Sequence, residues 1–287
     1  MEIRKLTPEM LSFRLGADPE IDPDWFVAHL NDIIRFDPDG CFALCDGDSV
    51  VGMITSTTYQ KIGWLGWLFV LEEYRFRGYG ERLMRAATEY VQARGASTVV
   101  LEADVKAVNL YRRLGFIEQF HTRHYSLSRG EFECGTSVGV EVDVVRISDL
   151  TALSEFDRSF FREDRSRLFG IVMANKNFRG LVAKHDGRIV GYIFTNEASA
   201  NQQVSPFIVD LSHKMARTAQ RALVKEALKV CEKPLYFRIP VLGEGYGGTL
   251  ERLGAKPVYY HTVRMYFGSE YKTEREGVLS LGCPGKG

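Results

Sequence analysis

The chain reads Arg75-Phe76-Arg77-Gly78-Tyr79-Gly80 between an apolar run that ends at Val70 and an amphipathic stretch that begins at Glu81. The apolar run is typical of a buried strand, and the amphipathic stretch repeats apolar side chains at helical spacing. Glycines between a strand and a helix let backbone N–H groups point into the turn, where the helix start adds partial positive charge. Since Arg75 and Arg77 add two full charges, the segment predicts an anion site that would accept a pyrophosphate.

Two other glycine-rich loops bind phosphates, and the spacing distinguishes them from this one. The dinucleotide fingerprint needs a third glycine or alanine three residues after the second, where this chain has Leu83. Glu102 does lie at a distance that suits a ribose-binding acid, so dinucleotide binding stays an alternative. The phosphate loop of nucleotide hydrolases requires Gly-Lys-Ser/Thr, which does not follow these glycines. ATP hydrolysis is therefore not expected.

Two motifs in sequence order carry a family resemblance. The arrangement Val70-x-x-x-x-Arg75-x-Arg77-Gly78-x-Gly80 resembles the acetyl-CoA loop of the GCN5-related N-acetyltransferases, the GNAT family. After a short β-branched strand, Thr98 to Glu102, the chain continues Ala107-Val108-Asn109-Leu110-Tyr111-Arg112-Arg113-Leu114-Gly115-Phe116. This second stretch is similar to the family's Ala-x-x-Leu-Tyr-x-x-x-Gly-Phe helix and turn. Two motifs at the correct spacing are far more specific than either alone.

The resemblance implies a fold, a donor and a set of site residues. The expected fold is α+β, with α/β/α layers around a mostly antiparallel central sheet, and the expected acyl donor is acetyl-CoA. The general acid that protonates the departing thiolate would be Tyr111, although a tyrosine here could also be a core aromatic. The residues that would bind the coenzyme are the strand residues Leu68, Phe69 and Val70 and the loop residues Arg75, Phe76, Arg77, Gly78, Tyr79, Gly80 and Glu81.

Composition limits the kinds of partner. The 287 residues are 45% apolar and carry 37 basic and 37 acidic side chains, so neither a nucleic-acid footprint nor a polybasic membrane patch is expected. The chain has no apolar stretch near the roughly 20 residues that span a bilayer, and Met1 to Lys5 does not resemble a secretory signal. Five scattered cysteines predict reduced thiols and no metal site. We expect a cytoplasmic protein with a small-molecule partner, and a homodimer is compatible with the sequence.

The second half of the sequence repeats the first at a nearly constant offset of about 139 residues. The Asp-Gly dipeptides at residues 46–47 and 186–187 each lie between apolar runs, which is the usual hairpin signal. Agreement at three places in one register indicates duplication. The matched segments are Val50-Val51-Gly52 with Ile189-Val190-Gly191, Phe69-Val70 with Ile208-Val209, and Leu114-Gly115 with Leu253-Gly254.

The repeat predicts two tandem GNAT-like domains. The expected boundaries are a catalytic domain at residues 1–130, a linker at 131–139, a second domain at 140–270 and a poorly ordered tail at 271–287. The offset places Arg217 at the position of Gly78, Ala219 at that of Gly80 and Leu250 at that of Tyr111. A long side chain at the first glycine position obstructs phosphate, and leucine has no proton to donate. The second domain is therefore expected to be a degenerate copy that shapes the substrate site or the oligomer.

Other residues remain open as catalytic or structural. The strand Ile62 to Val70 has no acidic side chain, so the general base would be Glu102, Glu72 or a chain of waters. Tyr59, Trp64 and Trp67 could line an acceptor pocket or belong to the core. The next three features have structural alternatives. His121 and His124 could be zinc ligands or strand residues, and Asp104 could be a cofactor contact or a helix cap. The motif from Phe156 to Arg165, together with Val263-Arg264-Met265-Tyr266, resembles the second domain of a tandem subfamily of the GNAT family, although Asp164 and Arg165 could instead begin a solvated helix.

Three functions are consistent with these residues. The first is acetyl transfer from acetyl-CoA to a primary amine of a small molecule, such as an amino acid or a polyamine-like compound. The second is an acyl-CoA-binding or sensing module without turnover. The third is protein acetylation, which the neutral net charge does not oppose. Retention of Tyr111 favours an enzyme.

Overall fold

A computed structural model describes residues 1–12, 23–132, 138–197, 201–241, 248–271 and 276–282, with backbone only at 259–260. The described chain forms two compact units. The first unit contains Met1–Gln119 together with Val263–Tyr271, and the second contains Phe120–Thr262 together with residues 276–282. None of the helices in these ranges is long and apolar enough to cross a bilayer.

The first unit is a mostly antiparallel sheet with helices on both faces. Its strands begin in the order β1-β2-β3-β4-β5, and among these described neighbours β4 and β5 run parallel while the other pairs run antiparallel. Helix α2 packs on one face through Leu83, Met84, Ala87 and Val91, as its periodicity predicts, and α1 packs on the other. The elements are β1 (Glu2–Lys5), α1 (Pro23–Phe36), β2 (Phe42–Asp46), β3 (Ser49–Thr58), β4 (Ile62–Val70), α2 (Tyr79–Ala93), β5 (Thr98–Asp104), α3 (Val108–Arg113) and the start of β6 (Ile117–Leu127).

The second unit repeats this arrangement. Its sheet has β10 and β11 parallel and the other recorded strand pairs antiparallel, with α6 on one face and the pair α4 and α5 packed on β9 and β8. The elements are β7 (Glu141–Val144), α4 (Leu150–Phe161), α5 (Ser166–Ala174), β8 (Phe178–His185), β9 (Arg188–Glu197), β10 (Gln202–Val209), α6 (Ala216–Val230), β11 (Leu235–Pro240), α7 (Gly248–Glu251), β12 (Lys256–Gly268) and β13 (Val278–Ser280).

Backbone contacts repeat at the offset seen in the sequence. The Leu71 N–H donates to Val51 O at 2.9 Å, and the Asp210 N–H donates to Val190 O at the same distance. The shared Val-Gly motif has a steric reason, because a Cβ on Gly52 would lie 2.8 Å from a carbonyl oxygen of β4, and one on Gly191 would lie 2.8 Å from a carbonyl oxygen of β10. The tandem α+β architecture predicted from the repeat is confirmed.

Packing divides the chain differently from the boundaries predicted at residues 130 and 140. Strand β12 occupies the positions that copy β6, but its residues 263–268 belong to the first unit, beside β5. Conversely, residues Thr122–Leu127 of β6 pair with β11 in the second unit. Each unit is thus completed by a strand from the other half of the sequence, which no local pattern signals. The predicted linker contains residues 133–137, which lie outside the described ranges.

The prediction of a poorly ordered tail is wrong for residues 276–282. Residues Val278–Ser280 form a strand on β10, and Leu279, Ser280 and Leu281 are buried. Apolar side chains in this short segment find a place in the core, although they lack a long periodic pattern. The other positions of the predicted tail after residue 271 lie outside the described ranges.

Candidate active site

The pairing of strand β4 with β3 is interrupted by a bulge in the middle of β4. Gly66 pairs with Thr55 and Phe69 with Met53, so two residues of β4 lie opposite one of β3, and Trp67 takes a left-handed φ of 50°. The recorded pairing with β5 runs from Ile62 to Leu65 and does not reach the last three residues of β4. Leu68, Phe69 and Val70 therefore lie where β4 and β5 no longer pair, and all three are half-buried.

The glycine loop has the geometry of an anion cradle. Gly78 precedes α2 with a left-handed φ of 78°, and the first recorded helical hydrogen bond at this end runs from the Arg82 N–H to Gly78 O. The backbone N–H groups before Arg82 have no acceptor within the helix itself. A Cβ added at Gly78 or Gly80 would meet no atom within 4 Å, so the surface above the loop is open. Such a helix start binds phosphate readily.

The charged and aromatic loop residues surround this cradle. The Arg75 Nε donates to Val70 O at 2.9 Å, and its guanidinium lies 5.9 Å from the Phe69 ring centre. The Arg77 guanidinium lies 5.8 Å from the Tyr74 ring centre. Phe76 is fully exposed at a left-handed φ of 60°. The loop thus carries two positive charges, and the Arg75 side chain is hydrogen-bonded to the end of β4.

Tyr111 lies on α3 with a ring that is 9% exposed and edge-on to Phe116, at 6.1 Å between centres. Burial of the phenol, and to a smaller extent the nearby negative charge of Asp104, raises the pKa of Tyr111 to about 12. The phenol therefore keeps its proton at neutral pH, as a general acid must. Asp104 accepts a hydrogen bond from the Lys106 N–H at 2.8 Å and so fixes the turn before α3. The helix cap itself is Ala107.

The candidate general bases and the candidate pocket aromatics of the first unit differ in how far they are buried. Glu72 is exposed in a short helical turn, whereas Glu102 is half-buried on β5 just beyond the last residue that pairs with β4. Tyr59 and Trp64 belong to the core, and Trp67 is only half-buried. Arg264 was expected only as part of the second-domain motif Val263-Arg264-Met265-Tyr266, but it belongs to the first unit. It is 5% exposed and stacks its guanidinium 4.3 Å from the Trp64 ring centre. This position was missed because the strand that carries Arg264 lies in the other half of the sequence.

The Trp67 side chain is held by an aromatic cluster on α1. Its ring centre lies 5.0 Å from that of Phe26, 5.4 Å from that of His29 and 6.3 Å from that of Trp25. The cluster packs the left-handed residue from the α1 side of the sheet. Nothing in the periodicity of α1 identified these residues as neighbours of the site.

The equivalent positions in the second unit have different geometry. Arg217 is an exposed residue inside the first turn of α6, and Leu250 is fully buried. Helix α6 begins after Met215, whose φ of −95° is not left-handed, so the glycine turn that precedes α2 has no counterpart there. The acid and the turn predicted to be lost are replaced by a buried leucine and a continuous helix.

The charged motif of the second unit is structural. Arg165 was expected either to mark the tandem subfamily or to begin a solvated helix, and the solvated alternative is wrong, because its side chain is 2% exposed. Its guanidinium donates to both oxygens of Asp157, at 2.9 and 2.5 Å, and Asp157 also accepts from the Tyr192 hydroxyl at 2.5 Å. Asp164 instead pairs with Arg158 at 3.0 Å near the surface.

The histidines considered as zinc ligands lie on β6. The His121 ring is 6.0 Å from the His261 ring, and the His124 Nδ1 lies 2.7 Å from the Tyr236 hydroxyl. Within the described ranges, no group of three or more His, Cys, Asp or Glu side chains is arranged to hold a metal ion.

Comparison with known protein families matches both halves. The model described as the acetyltransferase (GNAT) family matches residues 7–116, and the model described as the acetyltransferase (GNAT) domain matches residues 153–280. The two matches together cover more than half of the chain. The chain belongs to the GNAT family. It is a tandem member of a family of acetyltransferases whose acyl donor is acetyl-CoA.

Individual relatives support the fold at low identity. A structure from Pyrococcus horikoshii assigned as an acetyltransferase has a TM-score of 0.84 at 22% identity, covering 100% of this chain and 95% of that one. A tandem GNAT protein from the clavulanic acid biosynthesis pathway has a TM-score of 0.62 at 14% identity, covering 92% and 94%. N-alpha-acetyltransferase 30 of Schizosaccharomyces pombe is 30% identical over 101 residues, which are 32% of this chain and 66% of that protein. The chain spans about one third to two thirds of the length of the curated relatives it matches.

Proposed function

We propose that the first unit transfers an acetyl group from acetyl-CoA to a primary amine of a small molecule, such as an amino acid or a polyamine-like compound. The observation that carries this proposal is the open glycine loop between β4 and α2, followed by a buried tyrosine that keeps its proton. Membership of the GNAT family indicates the class of reaction, which is acyl transfer. The residues of the first unit are proposed to bind the donor and to provide the general acid.

In this proposal, the chain positions the donor and provides an acid. The backbone of Leu68, Phe69 and Val70 holds the pantetheine arm as an added strand, and the N–H groups of residues 78–81 hold the diphosphate. Acetyl-CoA brings the thioester. Holding thioester and amine together lowers the barrier by several kcal/mol. Tyr111 donates its proton to the departing thiolate, and the amine loses its proton to Glu102 or to water, since Glu72 is exposed.

We assign the second unit no coenzyme. Its helix α6 lacks the left-handed turn that precedes α2, and Leu250 replaces the acid. The face of its sheet that corresponds to the α1 side of the first unit is filled by a buried aromatic cluster and the Asp157–Arg165 pair. The members of this cluster are Phe160, Phe161, Phe169, Tyr192 and Phe194.

A protein N-terminus is the second candidate acceptor. Two relatives with sequence similarity, from Schizosaccharomyces pombe and Arabidopsis thaliana, are named N-alpha-acetyltransferases. That similarity covers about a third of this chain. It therefore supports N-acetyl transfer as the reaction but does not identify the acceptor. A sensing module without turnover is the third candidate, and a homodimer stays a prediction.

The test is thiol release by the Tyr111→Phe variant of the full chain. We expect turnover to fall by about 10²-fold or more while acetyl-CoA binding is unchanged, because phenylalanine keeps the ring and removes only the acid. A panel of small amines and short peptides, each assayed with the wild-type chain, identifies the acceptor class. Unchanged turnover in the variant would remove the assignment of Tyr111, and binding without release for every acceptor would favour the sensing module.

A further inference from the structure

Strand β10 of the second unit copies the coenzyme-binding strand β4. Residues Phe207, Ile208 and Val209 stand at the offset positions of Leu68, Phe69 and Val70. The pairing of β10 with β9 also breaks in the middle, since Val204 pairs with Thr195 and Phe207 with Ile193. The recorded pairing of β10 with the parallel strand β11 ends after Gln203–Tyr236. The second unit therefore keeps the diverging strands that form the groove of the first.

In the second unit this groove is filled by the chain itself. Strand β13 pairs antiparallel with β10, with Phe207 opposite Ser280 and Ile208 opposite Val278. The Val209 N–H donates to Gly277 O at 2.9 Å. On the opposite side, the Leu281 N–H donates to the carbonyl oxygen of Arg238, on β11, at 2.7 Å. The segment thus hydrogen-bonds to both diverging strands.

Ser280 is the polar centre of this contact. Its side chain is fully buried, and its Oγ donates to Val204 O at 2.8 Å while accepting from the Arg238 N–H at 3.0 Å. One hydroxyl therefore satisfies a carbonyl on β10 and an amide on β11 that the divergence of the strands would leave unpaired. The neighbouring Leu279 packs into the apolar core of the unit. The segment supplies amide, hydroxyl and apolar contacts to a groove built for an extended chain.

We propose that residues 276–282 are an internal substitute for the pantetheine arm, occupying a second acyl-thioester groove that stays competent when the segment is displaced. The proposal rests on the proposed function, because it takes Leu68, Phe69 and Val70 as the pantetheine strand of the first unit. A pantetheine arm and a peptide share the chemistry that this groove recognises, which is an extended chain with amide groups spaced between apolar ones. The ligand class is a pantetheine thioester without nucleotide, since α6 lacks the glycine turn for a diphosphate.

The test is amide hydrogen exchange on the full chain with two variants. Gly277 has a φ of 96°, and an added Cβ would clash with the carbonyl oxygen of Val209. Because this contact is too short, Gly277→Ala should displace the segment from β10. Ser280→Ala removes the hydroxyl that bridges β10 and β11 and requires no change of the backbone. It is the second test variant, and it replaces Gly277→Ala if that variant does not fold. The matched control is Gly187→Ala, where φ is 75° and the added Cβ meets no atom within 4 Å.

In the wild-type chain, acetyl-CoA should slow exchange at Leu68, Phe69 and Val70 and leave Phe207–Val209 unchanged. In the variants, exchange at Phe207–Val209 should rise about ten-fold, and S-acetylpantetheine should slow it again. Gly187→Ala destabilises a hairpin without touching the segment, so any faster exchange in this control should not respond to S-acetylpantetheine. The proposal is overturned if neither variant raises exchange at these amides, or if S-acetylpantetheine does not restore protection. Failure of acetyl-CoA to protect Leu68–Val70 in the wild type would instead count against the proposed function.

Discussion

At the scale of single residues, the site depends on backbone conformations that most side chains avoid. Gly78 takes a left-handed φ without steric cost, and its neighbourhood is open. Trp67 and Phe76 take left-handed φ values although they carry large side chains, which costs free energy that the surrounding structure must offset. Trp67 lies within the strand, and Phe76 within the loop, that are proposed to hold the coenzyme.

Replacing Gly78 by alanine should weaken both stability and coenzyme binding. A left-handed alanine costs about 1–2 kcal/mol, and its methyl group would project into the open surface where phosphate is proposed to bind. Gly187→Ala is the matched control, because it has a similar φ of 75° and equally open surroundings in a hairpin of the second unit. Urea unfolding should show similar losses for the two variants, while the KM for acetyl-CoA should rise in Gly78→Ala alone. Equal KM values in both would contradict the placement of the diphosphate.

The sequence predicted the glycine loop because glycine spacing and flanking arginines leave a local signature. It did not predict the left-handed Trp67, since no residue type at that position encodes a positive φ, or the packing of His29 and Phe26 against it. The sequence predicted that Tyr111 is either a general acid or a core aromatic, but it did not predict the residues that surround the ring. The pKa of Tyr111 depends on burial against Phe116 and on Asp104, which tertiary packing determines.

At the scale of secondary-structure elements, a buried polar cluster connects two helices and a strand of the second unit. Asp157 on α4, Arg165 beside α5 and Tyr192 on β9 join three elements through hydrogen bonds within a nearly solvent-free space. The Arg165 guanidinium also lies 4.0 Å from the Phe161 ring centre. Burial and the Asp157 charge raise the pKa of Tyr192 well above its usual range, so this hydroxyl stays a hydrogen-bond donor.

Removing the buried arginine should be far more costly than removing an exposed one. Arg165→Met leaves the Asp157 carboxylate buried without its cation, which should lower the free energy of unfolding by about 3–5 kcal/mol. Arg158→Met breaks the pair with Asp164, where the side chains are 55% and 36% exposed, and should cost about 1 kcal/mol or less. Urea unfolding followed by circular dichroism measures both. Similar losses for the two variants would mean that the buried cluster contributes little.

The elements themselves were largely predictable, since helix α2 and the hairpin turns follow periodicity and Asp-Gly signals. Strand β13 was not, because two apolar residues and a serine are too few to show a periodic pattern. Its place depends on the contacts of Leu279 and Ser280 with the core and with β10 and β11, which exist only once the second unit has folded.

At the scale of the whole molecule, duplication predicted two similar units but not how the chain divides between them. Val263 and Met265 belong to the apolar core of the first unit although they lie more than a hundred residues beyond the rest of it. A fragment that ends at residue 130 would lack these side chains. Coenzyme binding is therefore properly measured on the full chain, and both halves of the sequence are needed to build the unit that is proposed to be catalytic.

The most direct measurement is a crystal structure of the full chain grown with acetyl-CoA. We expect the diphosphate against the N–H groups of residues 78–81, the pantetheine arm along Leu68–Val70 and its sulfur within reach of the Tyr111 hydroxyl, while β13 stays on β10 in the second unit. A coenzyme seated along Phe207–Val209, or a diphosphate bound away from the glycine loop, would contradict the account.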